Sequence, residues 1–493
     1  MNKIGFDNDK YLNMQSQHIQ ERIDTFNGKL YLELGGKLFD DYHASRVLPG
    51  FCPDSKIRML LHLSDSAEIV IAINADDIEK NKMRGDLGIT YDHDVLRLID
   101  AFRNMGLYVS SVVMTRYSGQ YSADVFKKKL TNLGVRVYVH YPITGYPNNI
   151  PLIVSEDGYG RNEYIETTRP LVIVTAPGPG SGKLATCLSQ LYHEHKRGIM
   201  AGYAKFETFP IWNLPLKHPV NLAYEAATAD LNDLNMIDPF HLEAYGKMTV
   251  NYNRDVEAFP LLKAMLEKIL GKSPYNSPTD MGVNMAGNCI FDDEAVCNAA
   301  KDETIRRYYK ICCEKLTGAV SESAVIKVES IMQQAGVSPT DRKVVKYALD
   351  KAEQSGAHAV SIELDNGSIV TGKTSSLLGS VSAALLNAMK VMAGINDDVP
   401  LLAQSIIEPI IKLKREIFHS VTAHLDSNEM LIALSSCAVA NPQANLALNT
   451  VSRLKNTELH SSVMLCEADE QVLKKLGINY TCEPIRRSKT FYR

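Results

Sequence analysis

The feature that most constrains the fold of this chain is a series of short apolar runs that alternate with amphipathic helical patterns. An unbroken apolar run is typical of a strand buried on both faces. Strands separated by helices favour a mostly parallel sheet covered on both sides. Residues 1–235 are therefore predicted to form a Rossmann-like α/β domain. The apolar runs span residues 29–34, 67–74, 107–114, 135–139 and 171–174.

The pattern changes after this first region. Helical periodicity and long loops dominate residues 236–335, which predicts a helical middle domain. Strand patterns return in residues 336–493, where Asp365-Asn-Gly367 is a hairpin signal between two of them. The prediction for the whole chain is therefore an α/β protein with three domains, bounded at about residues 235 and 335.

Composition excludes several classes of protein. The net charge of -4 gives no electrostatic reason to expect a nucleic-acid partner. No run of eighteen apolar residues is present, so we expect no membrane partner. The first residues lack the basic start and apolar stretch of a signal peptide, which predicts a cytoplasmic protein. The nine cysteines contain no CxxC pair and HExxH is absent, so no metal site is predicted.

The stretch after the fifth apolar run is the leading candidate for a binding site. It reads Ala176-Pro-Gly-Pro-Gly-Ser-Gly-Lys183, and an amphipathic helical pattern follows it. Strand, glycine-rich loop and helix is the arrangement in which backbone N–H groups hold a phosphate. The alternative is a tight turn whose glycines only permit close packing. The predicted phosphate-binding residues are Gly178, Gly180, Ser181, Gly182, Lys183 and Thr186.

This loop departs from the Walker A pattern of P-loop nucleotidases. The position of the first glycine holds Pro177, and Leu184 stands where a hydroxyl would hold magnesium. Several strand–helix units also precede the loop, whereas the usual phosphate loop follows the first strand. An orthodox P-loop ATPase is therefore not expected.

A second stretch, Gly367-Ser-Ile-Val-Thr-Gly-Lys-Thr374, matches the Walker A pattern letter for letter. Its first half is predicted to be a hairpin strand, which cannot wrap a phosphate. Its second half is predicted to run into a helix N-terminus, which favours anions. We therefore predict a secondary anion site, with N-capping by Ser375 or Ser376 as the alternative. Its residues are Gly372, Lys373, Thr374 and Ser375.

Three further residues are candidates for catalysis. Asp76 follows a buried strand, where a carboxylate can hold a metal or a ribose hydroxyl; the alternative is a turn and helix start. Lys205 and Glu207 lie in a stretch, predicted to be a loop, that comes after the helix following the glycine-rich loop. Loops at the carboxyl ends of neighbouring strands meet at one edge of an open sheet. These two residues either position a substrate near the glycine-rich loop or form a plain ion pair.

Four stretches together carry a resemblance that covers nearly the whole chain: 176–183, 205–213, 280–284 and 370–374. On them the sequence resembles a bacterial family of conserved hypothetical proteins, classified only as a domain of unknown function. The resemblance implies an N-terminal α/β part, a helical middle and a C-terminal α/β/α sandwich of deaminase-like topology. The zinc-deaminase signature itself is absent.

The leading functional hypothesis is a protein that binds a nucleotide or another phosphorylated small molecule at residues 178–183. Phosphoryl or nucleotidyl chemistry would fit such a site, because it depends on positioning and charge stabilisation. The alternatives are a non-enzymatic, ligand-responsive binding protein and a hydrolase of a phosphate-bearing metabolite. A nucleotide and Mg²⁺ are the candidate cofactors, and a homo-oligomer is expected.

Overall fold

The computed structural model describes residues 3–85, 87–231, 233–420 and 422–486. Its strands are β1 (Leu30–Leu34), β2 (Ala67–Asn74), β3 (Met83–Arg84), β4 (Ile89–Thr90), β5 (Val109–Thr115), β6 (Arg136–Val139), β7 (Leu171–Thr175), β8 (Gly202–Phe206), β9 (Asn235–Ile237), β10 (Val250–Tyr252), β11 (Gly282–Val283), β12 (Ala359–Glu363), β13 (Ile369–Lys373), β14 (Glu458–Ser461) and β15 (Asn479–Cys482).

Helices connect and cover these strands. They are α1 (Asn8–Thr25), α2 (Tyr42–Val47), α3 (Ser55–His62), α4 (Ala75–Glu79), α5 (Tyr91–Asn104), α6 (Tyr121–Asn132), α7 (Ile150–Ile153), α8 (Lys183–Lys196), α9 (Pro219–Ala227), α10 (Pro239–Tyr245), α11 (Asn253–Leu270), α12 (Pro278–Met281), α13 (Asp293–Leu316), α14 (Glu322–Ala335), α15 (Lys343–Ser355), α16 (Ser380–Ala393), α17 (Gln404–Glu416), α18 (Ser427–Ala438), α19 (Pro442–Leu448) and α20 (Glu467–Leu476). Within the described ranges, no helix combines the length and apolar character needed to cross a bilayer.

The N-terminal part contains a seven-stranded sheet in the order β11-β8-β1-β7-β2-β5-β6. All of its strand pairs are parallel. Every residue of β2, β5 and β7 is buried, which is why these strands appear in the sequence as apolar runs. The prediction of a mostly parallel α/β sheet is confirmed.

Strand β7 occupies the middle of this sheet, although four of its strands precede it in the chain. The chain leaves β7 for β8 on one side, whereas it leaves the neighbouring β2 for β5 on the other. The two connections thus diverge between β7 and β2. Open α/β sheets bind ligands in the crevice outside the strand ends at such a switch point. The loop that follows β7 therefore opens onto the expected ligand crevice.

Helix α8 lies over β1, and polar contacts fix it there. Tyr31 donates a hydrogen bond to Glu194 Oε1 at 2.6 Å and accepts one from Gln190 Nε2 at 3.2 Å. Lys29 Nζ adds an ion pair with the same carboxylate at 2.9 Å. These contacts hold the C-terminal half of α8 against the start of β1. The N-terminus of α8 consequently lies at the carboxyl edge of the sheet.

The middle region is not free of strands. It contains the antiparallel pair β9 and β10, and β11 extends the main sheet beside β8. Strands of two or three residues are too short to leave a periodic pattern in the sequence, so the expectation of helices and loops alone missed them. Contacts divide the chain into two compact units: residues 4–225 with 233–300 form one, and the other includes residues from 301 onward. The three-domain division stays a prediction.

The C-terminal sheet is mixed, in the order β13-β12-β14-β15. The predicted hairpin is confirmed: β12 and β13 are antiparallel, and Gly367 takes a φ of 79° in the turn. Ser361 donates to the carbonyl of Val344 on α15, whereas Val360 and Ile362 pack with α16 in the hydrophobic core. Alternate residues of a strand face opposite sides of a sheet. Helices therefore cover both faces, and the predicted α/β/α sandwich is confirmed.

Candidate functional site

The loop between β7 and α8, residues 178–183, is called the glycine loop below. Ser181 Oγ donates a hydrogen bond to the carbonyl of Gly178 at 2.9 Å, which closes the loop on itself. Thr115 Oγ1, at the end of β5, donates to the carbonyl of Ser181 at 2.8 Å. Helix α8 then begins at Lys183, as predicted. The glycine loop is thus fixed to the carboxyl edge of the sheet.

The three glycines of the loop have different surroundings. A Cβ at Gly178 would lie 2.2 Å from Tyr91 Oη, and one at Gly182 would lie 2.9 Å from Thr115 Cγ2. Gly180 has open space around its Cα, although its φ is 77°. Close packing therefore explains the glycines at 178 and 182, whereas at Gly180 there is free space where a side chain would stand.

Gly182→Ala is expected to lower the free energy of unfolding by about 1–3 kcal/mol, because it adds a crowded contact to a left-handed residue. Its φ is 87°. Gly180→Ala is the matched control, since it carries the same backbone strain without the contact. Urea unfolding of both variants measures the difference. Equal losses would show that Thr115 moves aside at no cost.

Unpaired N–H groups line the end of the glycine loop. Among the described residues, the N–H groups of residues 180–185 make no hydrogen bond to protein, and the first to do so is that of Thr186, bonded to the carbonyl of Gly182 at 2.9 Å. No side chain in the described part of the chain caps α8 at its N-terminus. Such N–H groups and the helix dipole favour a negative charge. The loop is therefore free to bind an anion.

The side chain of Lys183 extends across the end of β1. Its Cε would lie 3.8 Å from a Cβ on Gly35, so the absence of a side chain at Gly35 makes room for it. Its Nζ lies 3.8 Å from Glu33 Oε1, and both side chains are 14% exposed. The other oxygen of Glu33 accepts a hydrogen bond from Tyr203 at 2.9 Å. A long ion pair thus links the glycine loop to β1.

Glu33, Lys205, Glu207 and Asp255 form a group that we call the carboxylate–lysine cluster. Glu33 and Lys205 are in register on the adjacent strands β1 and β8. Lys205 Nζ lies 2.7 Å from Glu207 Oε1 and also contacts the carboxylate of Asp255. The structure therefore brings the predicted pair, Lys205 and Glu207, together. Glu33 connects this pair to Lys183.

The carboxylate–lysine cluster contains three carboxyl groups but only one ammonium group. Burial raises the pKa of Glu207 to about 7 and outweighs the opposing effect of Lys205, while Asp255 raises it further. Burial by itself lowers the pKa of Lys205, but the carboxylates around it together raise that pKa well above its usual value. One ammonium group is thus shared by several carboxylates, and Glu207 titrates near neutral pH. A carboxyl group with this pKa suits general acid–base chemistry.

Asp76 and Thr186, two other predicted site residues, do not belong to the carboxylate–lysine cluster. Asp76 accepts a hydrogen bond from Gln120 Nε2 at 2.9 Å and lies 3.2 Å from Arg116 Nε. Asp76 therefore lies in the first turn of α4, the helix start given above as the alternative, with Arg116 as its cation. Thr186 is completely buried inside α8, so its hydroxyl is not at the surface of the glycine loop.

The second lysine-bearing stretch does not lead directly into a helix. Strand β13 continues to Lys373, and α16 begins only at Ser380, so the expected helix N-terminus at this place is wrong. Ser375 Oγ instead accepts from the N–H of Leu378 at 3.0 Å and caps a turn. A Cβ at Gly372 would lie 2.1 Å from the nitrogen of Ala384, so close packing explains that glycine. The anion site at residues 372–375 stays a prediction.

Three members of this site, Glu33, Tyr203 and Asp255, were not predicted from the sequence. Glu33 is the one charged residue of an otherwise apolar strand, and that anomaly is a signal that could have found it. Tyr203 precedes Lys205 by two residues and so faces the same side of the sheet. Asp255 lies 50 residues beyond Lys205, and no spacing rule links the two.

Comparison with known proteins places the chain among similar sequences. The model of "Domain of unknown function DUF1846, N-terminal" matches residues 4–336, and that of "Domain of unknown function DUF1846, C-terminal" matches residues 340–492. A UPF0371 protein of Streptococcus sanguinis is 57% identical over all 493 residues of both chains. UPF0371 proteins of Streptococcus thermophilus and Streptococcus pneumoniae are each 56% identical, also over full length.

Proposed function

The chain belongs to the DUF1846 family, and from that premise we propose that it is an enzyme that binds a phosphorylated small molecule at the glycine loop. The observation that carries the proposal is the row of unpaired N–H groups at residues 180–185, next to Lys183. These groups lie at the switch point of a parallel sheet, where ligands of such sheets bind.

A phosphate group suits this site better than a carboxylate does. Its several oxygens can accept hydrogen bonds from successive backbone N–H groups at a helix N-terminus, while an ammonium group offsets its charge. Lys183 is placed to supply that charge, because its long ion pair with Glu33 leaves donors of the ammonium group unused. A nucleotide is the first phosphate-bearing ligand to test.

Glu207 is proposed to transfer the proton of the reaction. Phosphoryl or nucleotidyl transfer needs a group that accepts a proton from the attacking hydroxyl or water. Glu207 has a pKa near 7 and lies in the cluster that Glu33 joins to Lys183. Lys205 holds Glu207 at 2.7 Å and thus serves as a positioning residue. Glu33 and Asp255 are the carboxylates that would hold Mg²⁺ beside a bound phosphate.

Calorimetric titration of the full chain tests the proposal. The ligands are inorganic phosphate, pyrophosphate, ATP, a nucleoside monophosphate and a sugar phosphate, each with and without Mg²⁺. We expect saturable binding of at least one phosphate ester at micromolar to millimolar concentration, and its conversion on longer incubation. A complete lack of binding would refute the proposal. Binding without conversion would favour the ligand-responsive binding protein instead.

A further inference from the structure

Three side chains outside the glycine loop and the carboxylate–lysine cluster converge at the start of α13. His218 precedes α9, while Asp293 is the first residue of α13 and Cys297 follows it by four positions. Residues four apart lie on the same face of a helix. The imidazole therefore meets a carboxylate and a thiol that α13 presents together, although 79 residues separate His218 from Cys297.

The distances between the donor atoms of these three side chains are close to those of a metal site. His218 Nε2 lies 3.1 Å from Asp293 Oδ1 and 3.5 Å from Cys297 Sγ, and Sγ lies 3.8 Å from Asp293 Oδ2. A tetrahedral zinc ion with ordinary bond lengths requires about 3.4 Å between nitrogen and oxygen ligands, and about 3.6 Å from either to sulfur. The two distances to Asp293 involve different carboxylate oxygens. With a single oxygen from Asp293, the three ligand atoms lie within 4.8 Å of one another, so small side-chain shifts complete one face of such a tetrahedron.

We infer that His218, Asp293 and Cys297 bind a zinc-class divalent ion. Imidazole, thiolate and carboxylate are all zinc ligands, whereas a thiolate is a poor ligand for Mg²⁺ or Ca²⁺. Metal binding removes the proton of the Cys297 thiol, which passes to solvent. The Asp293 side chain is 67% exposed, so the fourth position opens to water. This inference is independent of the proposed phosphate site.

One local interaction opposes metal binding. His218 Nδ1 accepts a hydrogen bond from the N–H of Val220 at 3.3 Å, which places the ring proton on Nε2. A metal on Nε2 moves that proton to Nδ1 and ends this hydrogen bond. The bond is long, so its loss is a small penalty relative to three metal–ligand bonds. The competing arrangement is a metal-free trio in which Nε2–H donates to Asp293.

Cobalt(II) is the probe that separates the two arrangements, because Co²⁺ replaces zinc in such sites and is coloured. The reduced full chain is titrated with Co²⁺, and we expect a thiolate-to-cobalt charge-transfer band that saturates at about one ion per chain. Added Zn²⁺ should abolish the band. Cys297→Ser should lose it, and His218→Asn should weaken Co²⁺ binding by about tenfold or more.

Cys312→Ser is the matched control, since it removes another half-buried thiol from the same helix. It should keep the full charge-transfer band. Thermal unfolding adds a readout that does not depend on colour: excess Zn²⁺ should raise the melting temperature of the wild type and of Cys312→Ser, but not of Cys297→Ser. A band that persists in Cys297→Ser, or a wild type without a band, would overturn the inference.

Discussion

Glu207→Gln is expected to reduce turnover of the phosphate-bearing substrate by about 10²–10⁴-fold, the usual contribution of a general acid or base. The glutamine amide keeps the size of the side chain but cannot exchange a proton. Affinity for the substrate should change little, because the glycine loop and Lys183 are untouched. Steady-state kinetics together with calorimetry separate the two effects. Glu166→Gln, which removes a carboxylate that is 75% exposed, is the control.

The pH dependence of the wild type provides a second test of the same residue. If Glu207 accepts the proton, the rate should fall as the pH drops below about 7, the pKa to which burial raises it. The pH dependence of the free energy of unfolding tests the raised pKa of Glu207 independently of the rate. Between the ordinary pKa of 4.5 and about 7, the folded protein binds more protons at Glu207 than the unfolded chain does. The free energy of unfolding therefore decreases as the pH rises through this window.

Glu207→Gln removes this contribution to the pH dependence of stability. Its free energy of unfolding should thus increase relative to that of the wild type as the pH is raised from 4.5 to 7. Urea unfolding at several pH values measures the difference. Unchanged turnover in Glu207→Gln would exclude the catalytic role, and a constant difference in stability would exclude the raised pKa.

Lys183→Ala is expected to weaken binding of the phosphate ligand by about 10- to 100-fold, since it removes a charge-assisted hydrogen bond. The fold should be little affected, because the only ion pair recorded for Lys183 among the described residues is the long one with Glu33. Calorimetry measures affinity, and thermal unfolding verifies the fold. A loss confined to low ionic strength would indicate that the lysine acts only at long range, because salt screens such interactions.

Lys373→Ala is the matched control for Lys183→Ala. Lys373 belongs to the stretch that matches the Walker A pattern letter for letter, and it lies exposed at the end of β13. Its removal should leave phosphate affinity within about twofold of the wild type, as for a surface charge remote from the ligand. If Lys373→Ala loses binding and Lys183→Ala keeps it, the phosphate site lies in the C-terminal sheet.

The elements of the fold were predictable where a local pattern marks them. The buried strands β2, β5 and β7 are mostly apolar, and the turn at Gly367 carries a hairpin signal. The short strand β11 was not predictable, because it exists only through its pairing with β8. The start of α16 was also misplaced, since β13 extends into the stretch that was expected to open the helix.

Local sequence patterns are sufficient to predict the parallel α/β sheet, the place of the glycine loop before α8, and the candidacy of Lys183, Lys205 and Glu207. These follow from patterns within a few residues, because helix and strand periodicity are local properties of the backbone. Which side chains meet depends on the three-dimensional fold. Strand order brings Glu33 beside Lys205, and the tertiary fold brings His218 to Cys297 across 79 residues of chain. Contacts between distant segments depend on strand order and helix packing, which no local pattern records.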